Sequence, residues 1–127
     1  MSERTVLVLD DNPDFVRAVA SVIRPLDLAT AATDDPDQFP ALLGREDAVA
    51  AIVDCMLGER CGLGLLTLIA ADRPTLPTLV VSGYGEAFLA QARRFAESHG
   101  IERLATLAKP FSAPDLRAFL AGACGRG

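Results

Sequence analysis

Four short apolar runs in this chain each end on a polar or charged residue, and that repeated arrangement limits the folds open to it. The runs are Thr5–Leu9 (TVLVL), closed by Asp10-Asp11; Val49–Val53 (VAAIV), closed by Asp54; Leu79–Val81 (LVV), closed by Ser82-Gly83; and Leu104–Ala108 (LATLA), closed by Lys109-Pro110. Short β-branched and aliphatic runs without polar alternation read as strands buried on both faces. Segments with helical spacing separate them, and strand–helix alternation argues an α/β fold with a parallel sheet and right-handed crossovers. In such a sheet every strand's carboxyl end lies on one edge, where ligands bind. The pattern therefore gathers three carboxylates, a hydroxyl and an ammonium at one mouth.

The intervening segments carry their own start and stop signals. Asn12-Pro13 opens a first helix, an N-cap residue followed by proline in the first turn, and Arg24-Pro25 ends it. A weak second strand is expected near Leu28–Ala32, then a helix over Pro36–Leu43 capped by Asp35 and stopped by Gly44. Gly62 opens a third helix running to Ala71, and a long fourth helix spans Glu86–Ser98 with Gly100 as its C-terminal glycine. That fourth helix turns Phe88, Leu89, Ala92, Phe95 and Ala96 inward and leaves Arg93-Arg94 on a solvated face. The last helix follows Ser112-Ala113-Pro114 and directs Leu116, Phe119 and Leu120 to the core.

The chain has 127 residues, half of them apolar and 23% charged, which suits one globular domain over residues 1–122 with a flexible tail at 123–127. Charged, glycine or proline residues interrupt every apolar stretch, so neither a membrane span nor a signal peptide is expected, and a cytoplasmic location follows. A net charge of −5 with scattered basic residues argues against direct nucleic-acid binding. Cysteines 55, 61 and 124 and the single His99 lack metal-ligand spacing. Reduced thiols are therefore expected, with Cys55 pointing away from the mouth.

Asp10, Asp11 and Asp54 supply hard oxygen ligands without histidine or cysteine, a set that selects Mg²⁺ over zinc. One of the three must be free to act as nucleophile, and aspartate is an accepted phosphoryl carrier. Lys109 brings a compact positive charge for phosphate oxygens and Ser82 a hydroxyl donor. Cation and lysine together would stabilise the charge of a transferring phosphoryl group, which is most of what that reaction asks of a protein. Taken alone, Asp10-Asp11-Asn12 reads equally well as a helix cap with acids at the positive end of the dipole. The company of Asp54 and Lys109 favours the chemical reading.

Four segments, in order, resemble those of the receiver domains of two-component response regulators: VLVLDDN, AIVDCMLGERCGLGLL, LVVSGYG and LAKPF. The resemblance covers essentially the whole chain and implies five parallel strands in the flavodoxin-like order 2-1-3-4-5, with helices on both faces. It further implies Asp54 as phosphoacceptor, Asp11 as a direct Mg²⁺ ligand, Asp10 acting mainly through a water, and the backbone carbonyl of Met56 completing the metal shell. Ser82 would swing toward the phosphoryl group, and Lys109 would bridge to it from a cis Lys109-Pro110 bond. The phosphoryl donor would be a sensor histidine kinase or a histidine phosphotransfer protein. Output would pass to a partner protein, an attached domain or a second copy through helix four, strand five and helix five. Such a domain catalyses only its own phosphorylation and dephosphorylation.

Two features stand out against that family pattern. Many members carry an aromatic residue three positions before the lysine, where this chain has Thr106. That leaves either a weaker conformational signal or one carried by helix four. Met56 and Tyr84, both bulky, fall where the family tunes phosphoryl lifetime, and they are expected to shield the acyl phosphate from water. Two rival readings fit less well. A Mg²⁺-dependent phosphohydrolase with an aspartate nucleophile would need a second Asp two residues later, and that position is Met56. A non-phosphorylated pseudo-receiver would be expected to lack one of the acids or the lysine, and none is missing.

Overall fold

The computed structural model describes residues 4–54, 56, 57, 60, 61, 63–83 and 86–123. Five strands form one parallel sheet: β1 (Thr5–Leu9), β2 (Ala29–Thr33), β3 (Ala48–Asp54), β4 (Thr78–Ser82) and β5 (Leu104–Ala108). Their spatial order is β2-β1-β3-β4-β5, the order expected. Two-residue strands, Met56–Leu57 and Arg60–Cys61, make a small antiparallel pair after β3. Asp54 and Ser82 close their strands from inside the ladder, so β3 and β4 run one residue further at each end than their apolar runs predict.

Helices cover both faces. α1 (Pro13–Ile23) and α5 (Ala113–Ala123) pack Val19, Ile23, Leu116 and Leu120 onto Val6, Val8, Ile52, Leu79 and Val81. On the other face lie α2 (Phe39–Leu43), α3 (Leu63–Asp72) and α4 (Glu86–His99). These set Phe39, Leu43, Leu66, Ile69, Leu89 and Ala92 against Leu7, Leu9, Val53 and Val80. Each of β1, β3 and β4 thus feeds two cores by alternation, which explains their unbroken apolar sequence. The edge strands β2 and β5 are only half-buried, so the apolar run in β5 is not enclosed as the others are.

Local chemistry accounts for the helix ends. The Asn12 side chain accepts from the backbone N–H groups of Asp14 and Phe15, and Pro13 occupies the first turn. Gly100, at φ +81°, closes α4, and the N–H of Ile101 returns to the carbonyl of Ala96 at 3.0 Å. The expected second helix divides into a 3₁₀ turn at Pro36–Gln38 and the five-residue α2. Pro40 has no N–H to give the carbonyl of Pro36, and the N–H of Phe39 takes that acceptor in 3₁₀ spacing. α5 continues through Gly122 to Ala123, beyond the expected limit of the domain. The Arg103 guanidinium takes the carbonyl of Gly122 at 2.9 Å, satisfying one of the acceptors a helix end leaves open.

At the sheet's amino edge the Arg73 guanidinium donates to three carbonyls, those of Leu43 (2.9 Å), Arg45 (3.1 Å) and Ala48 (3.3 Å). Beside it Asp47 accepts from the Nε and Nη2 of Arg45 and from the Thr5 hydroxyl. No described helix is long and apolar enough to cross a membrane.

Candidate functional site

Sheet register sets the site. Leu9 pairs with Val53, so Asp10 and Asp54 leave neighbouring strands at one level. Asp54 pairs with Val81, which places Ser82 one residue further along, and Ser82 pairs with Ala108, which places Lys109 one further still. Lys109 therefore starts about 7 Å beyond the level of the acids, at roughly 3.3 Å per residue, and its stem must fold back. It does so. Its Nζ lies 2.8 Å from Asp10 Oδ2 and 3.2 Å from Asp54 Oδ2.

Alternation also decides which side chains meet. Val8, Ile52 and Leu107 face α1 and α5, so Asp10, Asp54 and Lys109, each two residues on, leave the sheet on that side. Val80 and Leu104 face the other core, which puts Ser82 and Thr106 on the α3–α4 side. Ser82 is fully buried, and its carbonyl accepts the N–H of Lys109 at 2.8 Å. The Lys109-Pro110 peptide is cis, as expected.

Asp10 has no exposed side-chain surface and Asp54 only 10%, whereas Asp11 faces solvent. One carboxylate oxygen from each of the three lies within 4.8 Å of the others, a spacing that a single small cation could bridge. Asp10 Oδ1 accepts the Asn12 N–H at 2.9 Å, fixing the carboxylate at the strand end. Three carboxylates against one ammonium leave two negative charges, which one divalent cation cancels. Burial opposes the charged form of Lys109. The hydrogen bond it donates to Asp10 and the charges of Asp10 and Asp54 outweigh it, holding its pKa above the ordinary 10.5.

Two contacts around the mouth were not foreseen. Phe15, in the first turn of α1, turns its ring to Lys109, with Nζ 4.2 Å from the centroid, and Phe111 meets that ring edge-on at 5.8 Å. Arg93 does not lie on a merely solvated face: it donates to Thr106 Oγ1 at 2.6 Å and to Glu86 at 2.8 Å. α4 is thereby tied to β5 at the position where an aromatic was missed. Arg93 reaches Thr106 only because α4 crosses the β4–β5 side of the sheet, which no local pattern reports.

His99 stacks on Phe95 at 3.9 Å near the end of α4, in an exposed position. Met56 falls in the small antiparallel pair, opposite Cys61. The side chain of Met56, Tyr84 and Cys55 lie outside the described residues, and the expectations about shielding and thiol orientation rest on the sequence.

Comparison with known proteins points one way. Over 85 residues, 67% of its length, the chain is 27% identical to the response regulator protein PilR of Pseudomonas aeruginosa, of which it spans 19%. The solved receiver domain of NtrX from Brucella abortus superposes with a TM-score of 0.77 at 26% identity, covering 96% of this chain and 99% of that one. The receiver domain of the sensor histidine kinase PA1611 from Pseudomonas aeruginosa PAO1, solved with a magnesium ion coordinated in its active-site cleft, shares the fold. Its TM-score is 0.77 at 22% identity, over 98% and 99% of the two chains. The family model for the response regulator receiver domain matches residues 6–121, a span running from β1 into α5 and including every acid and the lysine of the mouth. The chain belongs to the response regulator receiver domain family.

Proposed function

We propose that this receiver takes a phosphoryl group onto Asp54 from the phosphohistidine of a sensor kinase or phosphotransfer protein, with Mg²⁺ at the acidic mouth. The observation that carries the reading is the pairing of a nearly buried Asp54 with Lys109 at 3.2 Å, beside two further carboxylates. The donor set fits the ion: oxygen only, one ligand exposed and two buried, with a charge deficit of two. Asp10, Asp11, Asp54 and the carbonyl of Met56 would hold it, and the magnesium in the cleft of the PA1611 receiver is in keeping with this. Bound there, the cation would screen the phosphoryl oxygens and the attacking carboxylate from one another.

The protein's own groups do the rest. One Asp54 oxygen attacks phosphorus, the donor's P–N bond breaks, and the electron pair returns to the departing imidazole, leaving an acyl phosphate. Lys109 already sits at Asp54 and bridges to a phosphoryl oxygen, while Asp10 keeps its other contact. The Ser82 hydroxyl donates to a second oxygen after leaving its resting place on the α3–α4 side. Water later hydrolyses the acyl phosphate, so the only catalysis is on the chain itself. Met56 stands two residues after Asp54, where an aspartate-nucleophile phosphohydrolase would need its separate acid. Output runs through α4, β5 and α5 to a partner protein, an attached domain or a second copy.

The test is incubation with acetyl phosphate and Mg²⁺ followed by intact mass. Wild type gains one phosphoryl group and Asp54→Asn gains none. A wild type that neither gains the mass nor binds Mg²⁺ would overturn the reading.

A further inference from the structure

The geometry points to Phe15 as a positioning residue for Lys109, a role that rests on the phosphotransfer reading above. The ammonium has three N–H directions. Two are taken by Asp10 and Asp54, at 2.8 and 3.2 Å. The Phe15 ring also meets the ammonium, 4.2 Å from Nζ to the centroid, within the range over which an aromatic face attracts a cation. Phe111 braces that ring edge-on from just beyond the Lys109-Pro110 bond. The lysine is thus held by three groups, with 23% of its side chain exposed.

The open space beside both the ring and the lysine gives the contact its importance. A groove of about 570 Å³ runs between α1 and α5, lined by Phe15, Val19, Val22, Lys109, Phe111 and Leu116. Without the ring face, the ammonium would be free to lean into this opening and toward water. When Asp54 carries a phosphoryl group, Lys109 must follow the new oxygens without leaving Asp10. Phe15 limits that movement by offering a broad attractive surface with no directional hydrogen bond, across which the ammonium can slide. In this role Phe15 acts on the chemistry through Lys109.

Replacing the ring by an aliphatic of similar size separates this role from packing. Phe15→Leu keeps an apolar wall and loses the π face, while Phe15→Tyr keeps both. Phosphoryl uptake from acetyl phosphate with saturating Mg²⁺ is followed by intact mass, alongside the thermal midpoint of each protein. Phe15→Leu is expected to slow uptake about three- to tenfold, from the usual strength of such contacts, and Phe15→Tyr to match wild type. The proton shifts of the Lys109 Cε group add a direct signature, moved upfield by the ring in wild type and Phe15→Tyr and restored in Phe15→Leu. Equal uptake by Phe15→Leu and wild type overturns the inference, as does a Tyr variant as slow as Leu. If wild type itself takes up no phosphoryl group, the phosphotransfer reading has failed; the lysine shifts still decide the contact.

Discussion

Lys109→Met isolates the electrostatics of the mouth, because methionine keeps the length and apolar stem of lysine while removing its charge. In the folded protein that charge lies 2.8 Å from an oxygen of fully buried Asp10 and 3.2 Å from one of Asp54. Removing one partner from a buried ion pair costs about 3–5 kcal/mol, chiefly because a desolvated charge is left without compensation. Here Lys109 keeps 23% of its side chain in solvent, so part of the attraction is already screened. A loss of about 2–4 kcal/mol is the expected result, or a fall of roughly 1–2 M in the urea midpoint for a domain of this size. The measurement is urea unfolding at neutral pH in EDTA, followed by circular dichroism. Titration gives the sign of the pH dependence. Because the folded pKa of Lys109 is raised, its contribution is complete below the ordinary value of 10.5 and disappears only as pH climbs through the higher folded value. The neutral range is therefore a plateau for this term. Mg²⁺ should restore part of the loss, about 1.4 kcal/mol at tenfold its dissociation constant, since the cation replaces the missing positive charge. A Lys109→Met midpoint indistinguishable from wild type in EDTA would refute the reasoning, for it would mean the buried acids do not depend on the ammonium.

Two further outcomes test the opposite edge of the sheet. The hydrogen bonds from Arg45 and Thr5 hold the Asp47 carboxyl well below the usual carboxylate range. Its contribution is then present above an unfolded value near 3.8 and fades as pH falls below it, so Asp47→Asn should be less stable than wild type at pH 7 and converge with it in acid unfolding scans. Arg73→Met leaves three carbonyls without their shared donor and should cost about 2 kcal/mol, read as a drop of roughly 8 °C in Tm by calorimetry; an unchanged Tm would show those carbonyls content with water.

What the sequence could and could not convey follows from the range of the forces involved. β1 and β5 begin and end where their apolar runs do, because flanking charges and turn residues act locally. β3 and β4 extend past theirs since Asp54 and Ser82 still ladder with neighbours, and pairing is decided by the adjacent strand. Asp10, Asp54 and Lys109 were recognisable as strand-end residues, and parallel topology alone carries them to one edge. Phe15 was legible as apolar and helical, but its meeting with a lysine far along the chain depends on the packing of α1 against α5. Arg93 shows the same limit. Adjacent arginines on a mixed helix look solvated until the crossing of α4 over β5 brings one of them onto Thr106.

Arg73 has a consequence for how movement in this molecule can be observed. A planar guanidinium clamping three carbonyls fixes the start of β3 much as a bracket fixes one end of a beam, while β3 ends at Asp54 among the charges of the mouth. Displacements that begin at the mouth should taper along the strands and vanish near Ala48. A spectroscopic label on the exposed surface beside Arg45 would therefore serve as a stationary origin, against which motion of α4 or of the segment after Lys109 can be measured as a true distance.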